Sequence, residues 1–113
     1  MLPYLPAPDE CIVVGLLRVV LHVPGSRSLK DRRRVVTSLK DRLVARHKAS
    51  VAEVGHLEAH DRAVLAVTVV GNDARVVQSR LDQLRQDIVN VADAVVVDAQ
   101  ARTWPVRADG DDA

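Results

Sequence analysis

The chain has no phenylalanine, and its only aromatic residues are Tyr4 and Trp104. Single-stranded nucleic acids are held largely by bases stacking on aromatic platforms, so this scarcity argues against that mode. It also argues against an RNA-recognition motif, whose central strands present aromatic side chains. There is one cysteine, Cys11, so no disulfide can form within the chain. Cys11 reads as a small buried hydrophobe rather than a nucleophile. No apolar run reaches bilayer-spanning length, and no charged-then-apolar leader opens the sequence. These absences predict a reduced, cytoplasmic setting and no membrane partner. No Ser/His/Asp set, nucleophile elbow or phosphate-binding P-loop occurs. No catalytic residue, cofactor or small-molecule substrate is indicated.

What is present suits one domain with a real core: 113 residues, 48% hydrophobic and 27% charged. The formal net charge of +1 hides a strong polarity. Between Arg27 and Lys48 stand nine basic residues and two acids, Asp31 and Asp41, a local charge of +7. The rest of the chain therefore sums to −6. A cluster of this kind fits two readings. It is the footprint of a surface that meets phosphates, or it is a solvated helix face.

The cluster follows a turn. Pro24 and Gly25 stop the preceding element. Ser28 is placed to cap a helix, with Asp31 three residues on, which resembles a capping box. Leu29, Val36, Leu39 and Leu43 then share one face, predicting an amphipathic helix from Leu29 to about Arg46. Arg32 falls on that same apolar face. It either pairs with a carboxylate at the core edge or leads its guanidinium out past the helix start.

The other elements can be taken in chain order. Met1 to Glu10 contains Pro3, Pro6 and Pro8 and reads as an extended arm, residues 1–10. Ile12 to Val23 is apolar on both faces and reads as a central strand, with Gly15 marking a bulge or a close backbone approach. Ser50 to Leu57 and Ala63 to Val70 read as strands joined by a turn. Asn72 and Asp73 offer a cap to a second helix with the stripe Val77, Leu81, Leu84, Ile88 and Val91. Ala94 to Arg102 reads as a fourth strand, with Trp104-Pro105 ending it. The domain thus spans residues 11–103, and residues 104–113 form an acidic, disordered tail.

This order, strand-helix-strand-strand-helix-strand, predicts an α+β fold of the ferredoxin-like βαββαβ type. It has a four-stranded antiparallel sheet with both helices on one face. The open face would carry Ile12, Val14, Leu16, Val20 and Val96, with Arg18 and Asp98 as polar exceptions. Arg18 would pair with Asp98 or Glu53. Such a patch marks an interface, and a homodimer is the simplest occupant. The alternative is that the arms bearing Tyr4 and Trp104 fold back over it. His56, Glu58 and His60 alternate, so an extended segment would bring two imidazoles and a carboxylate to one side, a zinc-like set. A solvated strand end is the plainer reading.

The runs PGSRSLKDRRRVVTSLKDRL (24–43), SVAEVGH (50–56), RAVLAV (62–67) and NDAR (72–75) resemble the YlxP-like bacterial proteins. The resemblance covers Ile12 to about Ala101. It implies a ferredoxin-like fold and supplies no activity. Members of that family are often encoded beside transcription and translation factors, including a ribosome-binding factor. That implies a link to RNA or the ribosome.

Two readings follow. In the first, a non-enzymatic module meets structured RNA or the ribosome, with Arg27, Lys30, Arg32, Arg33, Arg34 and Lys40 on phosphates. In the second, a homodimeric interaction protein works through its open sheet face and has no nucleic-acid role.

Overall fold

A strand that is apolar on both sides can be satisfied only inside a sheet covered on at least one face. Val13–His22 is that strand, β1, in a computed structural model that describes residues 4–91 and 93–108. It is followed by α1 (Leu29–His47), β2 (Ser50–Gly55), β3 (Arg62–Gly71), α2 (Ala74–Val89) and β4 (Val95–Pro105). The sheet order is β2-β3-β1-β4, and every neighbouring pair is antiparallel. Both helices lie on one face, which gives the ferredoxin-like arrangement. No helix is long and apolar enough to cross a membrane.

The helices start where their caps dictate. The Ser28 hydroxyl accepts from the Asp31 amide at 3.1 Å. The Asp31 carboxylate takes the Arg27 amide at 3.3 Å, one residue earlier than a capping box reaches. In α2, Asp73 accepts from the amides of Arg75 and Val76. At the end of α1, Lys48 turns left-handed and its amide bonds to the Val44 carbonyl. Arg80, from α2, donates to the His47 carbonyl at 3.0 Å and so closes the last turn of α1.

The core lies between the helices and the odd-numbered side of β1. Leu17, Val19 and Leu21 are buried there against Leu43 of α1 and Leu81 of α2. The predicted α2 stripe holds through Ile88, and Val91 packs on the core just past the helix end. Gly15 proves to be a close approach rather than a bulge. A Cβ there would stand 2.6 Å from a Val77 methyl.

Four expectations need correction. β4 does not stop at Arg102; Trp104 pairs with Val14 and Pro105 with Val13, so the strand takes in the first residues of the expected tail. Proline is tolerated at position 105 because its nitrogen points away from β1, and the ladder bond at this end comes from the Val106 amide. Val97 is the extra residue of a bulge, because Asp98 faces Val20 while Val96 faces Leu21. The bulge reverses the alternation, so Val96 leaves the open face and packs on the core. β2 ends at Gly55, two residues earlier than read, so His56 and Leu57 belong to the turn. Cys11 is exposed, because it precedes the first ladder residue and lies beyond the covered core. Tyr4 and Leu5 of the arm are also exposed. The acidic segment 109–113 lies outside the described residues.

Candidate nucleic-acid interface

The nine cations from Arg27 to Lys48 do not form one surface; the fold sorts them into three groups. Arg32 comes first because it points inward, with 1% of its surface exposed. Its Nη2 donates to the Glu53 carboxylate on β2 and, at 3.0 Å, to the His56 carbonyl, while its Nε donates to the Arg62 carbonyl. Burial, and then neighbouring Arg33, hold its pKa below the usual guanidinium range, with Glu58 acting the other way. Arg32 is thus withdrawn from the phosphate-contacting set. The core-edge carboxylate pairing expected for it is the one that occurs, and its partner, Glu53, had been considered for Arg18. Arg18 instead faces Asp98 at 3.6 Å on the open side of the sheet.

Arg42 and Arg46 form the second group. Both turn toward Asp87 of α2, Arg42 at 2.8 Å and Arg46 at 3.7 Å, and His47 reaches the same carboxylate at 2.9 Å. Asp87 therefore fastens the two helices together. The Arg42 hydrogen bonds, opposed by burial and helped by His47, hold its carboxyl below the usual aspartate range. A depressed folded-state pKa stabilises the fold above the unfolded-state value, and that contribution is lost as pH falls through the folded value. Asp87→Asn is expected to lower stability near neutrality. The gap between variant and parent should close as denaturation midpoints are followed from about pH 5 downward. A gap that stays constant to low pH would refute this role.

The third group is what remains for a partner. Among the described residues, Arg27, Lys30, Arg33, Lys40 and Lys48 make no ion pair, and Arg34 makes only a 3.8 Å exposed contact with Asp31. Lys30, Arg33, Arg34, Thr37 and Ser38 sit at helical spacings of three and four. They line a shallow open trough of about 540 Å³ on the outer side of α1, with Asp41 at one end. Three cations toward the helix start are followed by two hydroxyl donors, a donor set suited to phosphate oxygens.

The metal candidates do not assemble. Among the described residues no group of three His, Cys, Asp or Glu side chains could hold an ion. His56, Glu58 and His60 lie in the turn after β2 rather than on one extended edge. His56 has a left-handed backbone (φ 56°), and its carbonyl serves Arg32.

The open face of the sheet keeps Val14, Leu16 and Val20 half-buried on β1. Trp104 joins them opposite Val14, so the strand itself brings one predicted cover residue onto this face. Ile12 continues the row; its carbonyl accepts from the Val106 amide. With Val96 gone, β4 contributes Asp98, Gln100 and Arg102 here, and the Arg102 guanidinium lies 5.6 Å from the Trp104 ring centre.

Residues 14–101 match the family described as a protein of unknown function, DUF503. The chain belongs to the DUF503 family. The matched segment runs from β1 into β4, so the DUF503 domain includes α1 with its outer cations and the Arg32 clamp. None of the curated proteins compared with it matches. Among solved structures, the DUF503 chain is similar to a de novo designed protein, Foldit4, at 14% identity and a TM-score of 0.48. That similarity covers 81% of this chain and 94% of the designed one.

Proposed function

We propose that this DUF503 protein is a non-enzymatic binding module that sets the outer face of α1 on the phosphate backbone of structured RNA, with the ribosome as the first candidate. The supporting observation is the trough on α1, where Lys30, Arg33 and Arg34 stand beside Thr37 and Ser38 with little internal neutralisation. Arg27 and Lys40 extend the positive surface at the helix start and along its flank. With so few aromatics available, contact through backbone and shape is the mode that fits. The YlxP-like resemblance adds a neighbourhood of translation genes to this reading.

The test is cosedimentation with ribosomal subunits across a salt series. Each cation on a phosphate releases counterions, so affinity should fall steeply with salt. Lys30→Ala/Arg33→Ala/Arg34→Ala should weaken binding and flatten the log–log salt slope by about three. Arg32 stays untouched, because its loss would destabilise the fold rather than probe the surface. No association at low salt, or a slope unchanged in the variant, would overturn the proposal.

A second reading gives the open sheet face to another copy of the chain, favoured by half-buried Val14, Leu16 and Val20. Leu16→Asp should abolish such a dimer.

A further inference from the structure

β4 is an edge strand, with β1 on one side and no strand on the other among the described residues. The Val106 amide donates to the Ile12 carbonyl within this ladder. From Asp98 onward, even-numbered residues therefore turn their peptide groups toward β1. Odd-numbered Ala99, Ala101 and Thr103 turn theirs outward, where no strand lies among the described residues. Edge strands are usually blunted by proline, lysine or a bulge. Here the bulge at Val97 and Pro105 confine the blunting to the two ends. The run Ala99 to Trp104 is left as a regular edge.

That edge is complementary to itself. Laid antiparallel about a two-fold axis at Gln100, a second copy sets Ala99 opposite the partner's Ala101 and the reverse. Those outward peptide groups then exchange hydrogen bonds. The same register sets Asp98 opposite the partner's Arg102, twice over, on the open face. Asp98 keeps Arg18 and gains a second arginine. A slip of two residues, the smallest that keeps the outward peptide groups paired, would set Asp98 against the partner's Trp104 instead.

On the helix side, Gln78 is bonded to Thr103 and to Asp82, and Arg85 and Val89 border the first half of β4. The stripe Gln78, Asp82, Arg85 and Val89 thus runs along the β4 edge. An antiparallel copy brings Asp82 toward the partner's Arg85. Finally, Val89, Val95 and Val97 are more than half exposed around an open cavity of about 480 Å³ at this edge. The end of the partner's β4 comes to lie beside them. An isologous contact requires each of these pairings to be returned in kind, and each is.

We propose that the chain forms a two-fold dimer through β4, merging two four-stranded sheets into one. The partner is a second copy of this chain, and the contact is main-chain pairing flanked by reciprocal charges. In this dimer all four helices share one face. At usual helix spacings the two α1 troughs would lie on the same side, about 30 Å apart. The proposal stands independently of the RNA reading.

Sedimentation velocity on the full chain tests it. The parent should run at twice its 12.3 kDa mass. Ala101→Pro removes an outward donor without touching the β1 ladder, and should weaken the dimer by roughly tenfold or more. Leu16→Asp should leave it intact. In a Cys11→Ser background, Gln100→Cys should oxidise readily to a covalent dimer, because residue 100 meets its own copy, whereas Arg18→Cys should not. A monomeric parent, a dimer indifferent to Ala101→Pro, or one lost only in Leu16→Asp would each overturn the proposal.

Discussion

Replacing Arg32 with alanine is expected to destabilise the fold by about 3 kcal/mol. The reasoning starts from what the side chain leaves behind. Glu53 faces the core side of β2 with 20% of its side chain exposed. Without Arg32 it becomes a largely buried carboxylate with no counter-charge. The carbonyls of His56 and Arg62 also lose their donor. Water can reach part of Glu53, which places the expected cost at the lower end of the range for broken buried pairs. Arg32→Lys should recover little, since one ammonium cannot serve a carboxylate and two carbonyls in the guanidinium's fixed fork. Arg32→Met combined with Glu53→Leu should recover most of the loss, because no charge is then stranded. Urea denaturation of the four proteins checks this. A single Arg32→Ala cost under about 0.5 kcal/mol would show that the clamp carries no weight.

The second large effect is expected at Gly15. It lies on β1 directly beneath α2, where a Cβ would be 2.6 Å from a Val77 methyl and 3.1 Å from a Leu81 methyl. Gly15→Val adds three carbons to that contact. Either α2 lifts from the sheet or Val77 and Leu81 leave their rotamers, at a cost of about 3 kcal/mol. Gly15→Ala should cost less, about 1–2 kcal/mol, and Val77→Ala in the same chain should offset part of it by removing the clashing methyl. Thermal melts of the single and double variants decide the matter. Additive losses in the Gly15→Ala/Val77→Ala pair would show that the two residues do not share the contact.

Most of this architecture was legible because separate signals agreed. Ser28 and Asp73 announced both helix starts, and the α2 stripe from Val77 to Ile88 announced the face it buries. The two-sided apolar pattern of β1 announced a central strand. Legibility failed where a single inserted residue changes phase. Val95, Val96 and Val97 are alike in hydrophobicity, so nothing in the string marks Val97 as the bulged residue, and strict alternation places Val96 on the wrong face. The basic cluster was legible as charge but not as surface. Whether an arginine is free or fastened depends on carboxylates far along the chain. Asp87 and Glu53 do that sorting, and neither is near its arginine in sequence. Arg32 alone carried a local sign, an arginine on an apolar helix face. The edge pairing at β4 depends on which way peptide groups turn, and side-chain patterns do not encode that.

The position of β1 has a consequence for how the chain acquires its structure. β1 is made first, yet its neighbours are β3 and β4, which begin at Arg62 and Val95. Until β3 exists, β1 has no strand to pair with, while α1 can form locally and β2 can close onto β3 through a short turn. The early folding unit is therefore expected to be α1 with the β2–β3 hairpin, joined by the Arg32 clamp. β1 enters afterwards, through contacts of long sequence separation that make folding slow for the chain's size. During that interval a largely apolar strand, broken only by Arg18 and the terminal His22, would expose two unsatisfied edges to other chains. The segment that centres the finished sheet is the one most in need of protection while the sheet is being built.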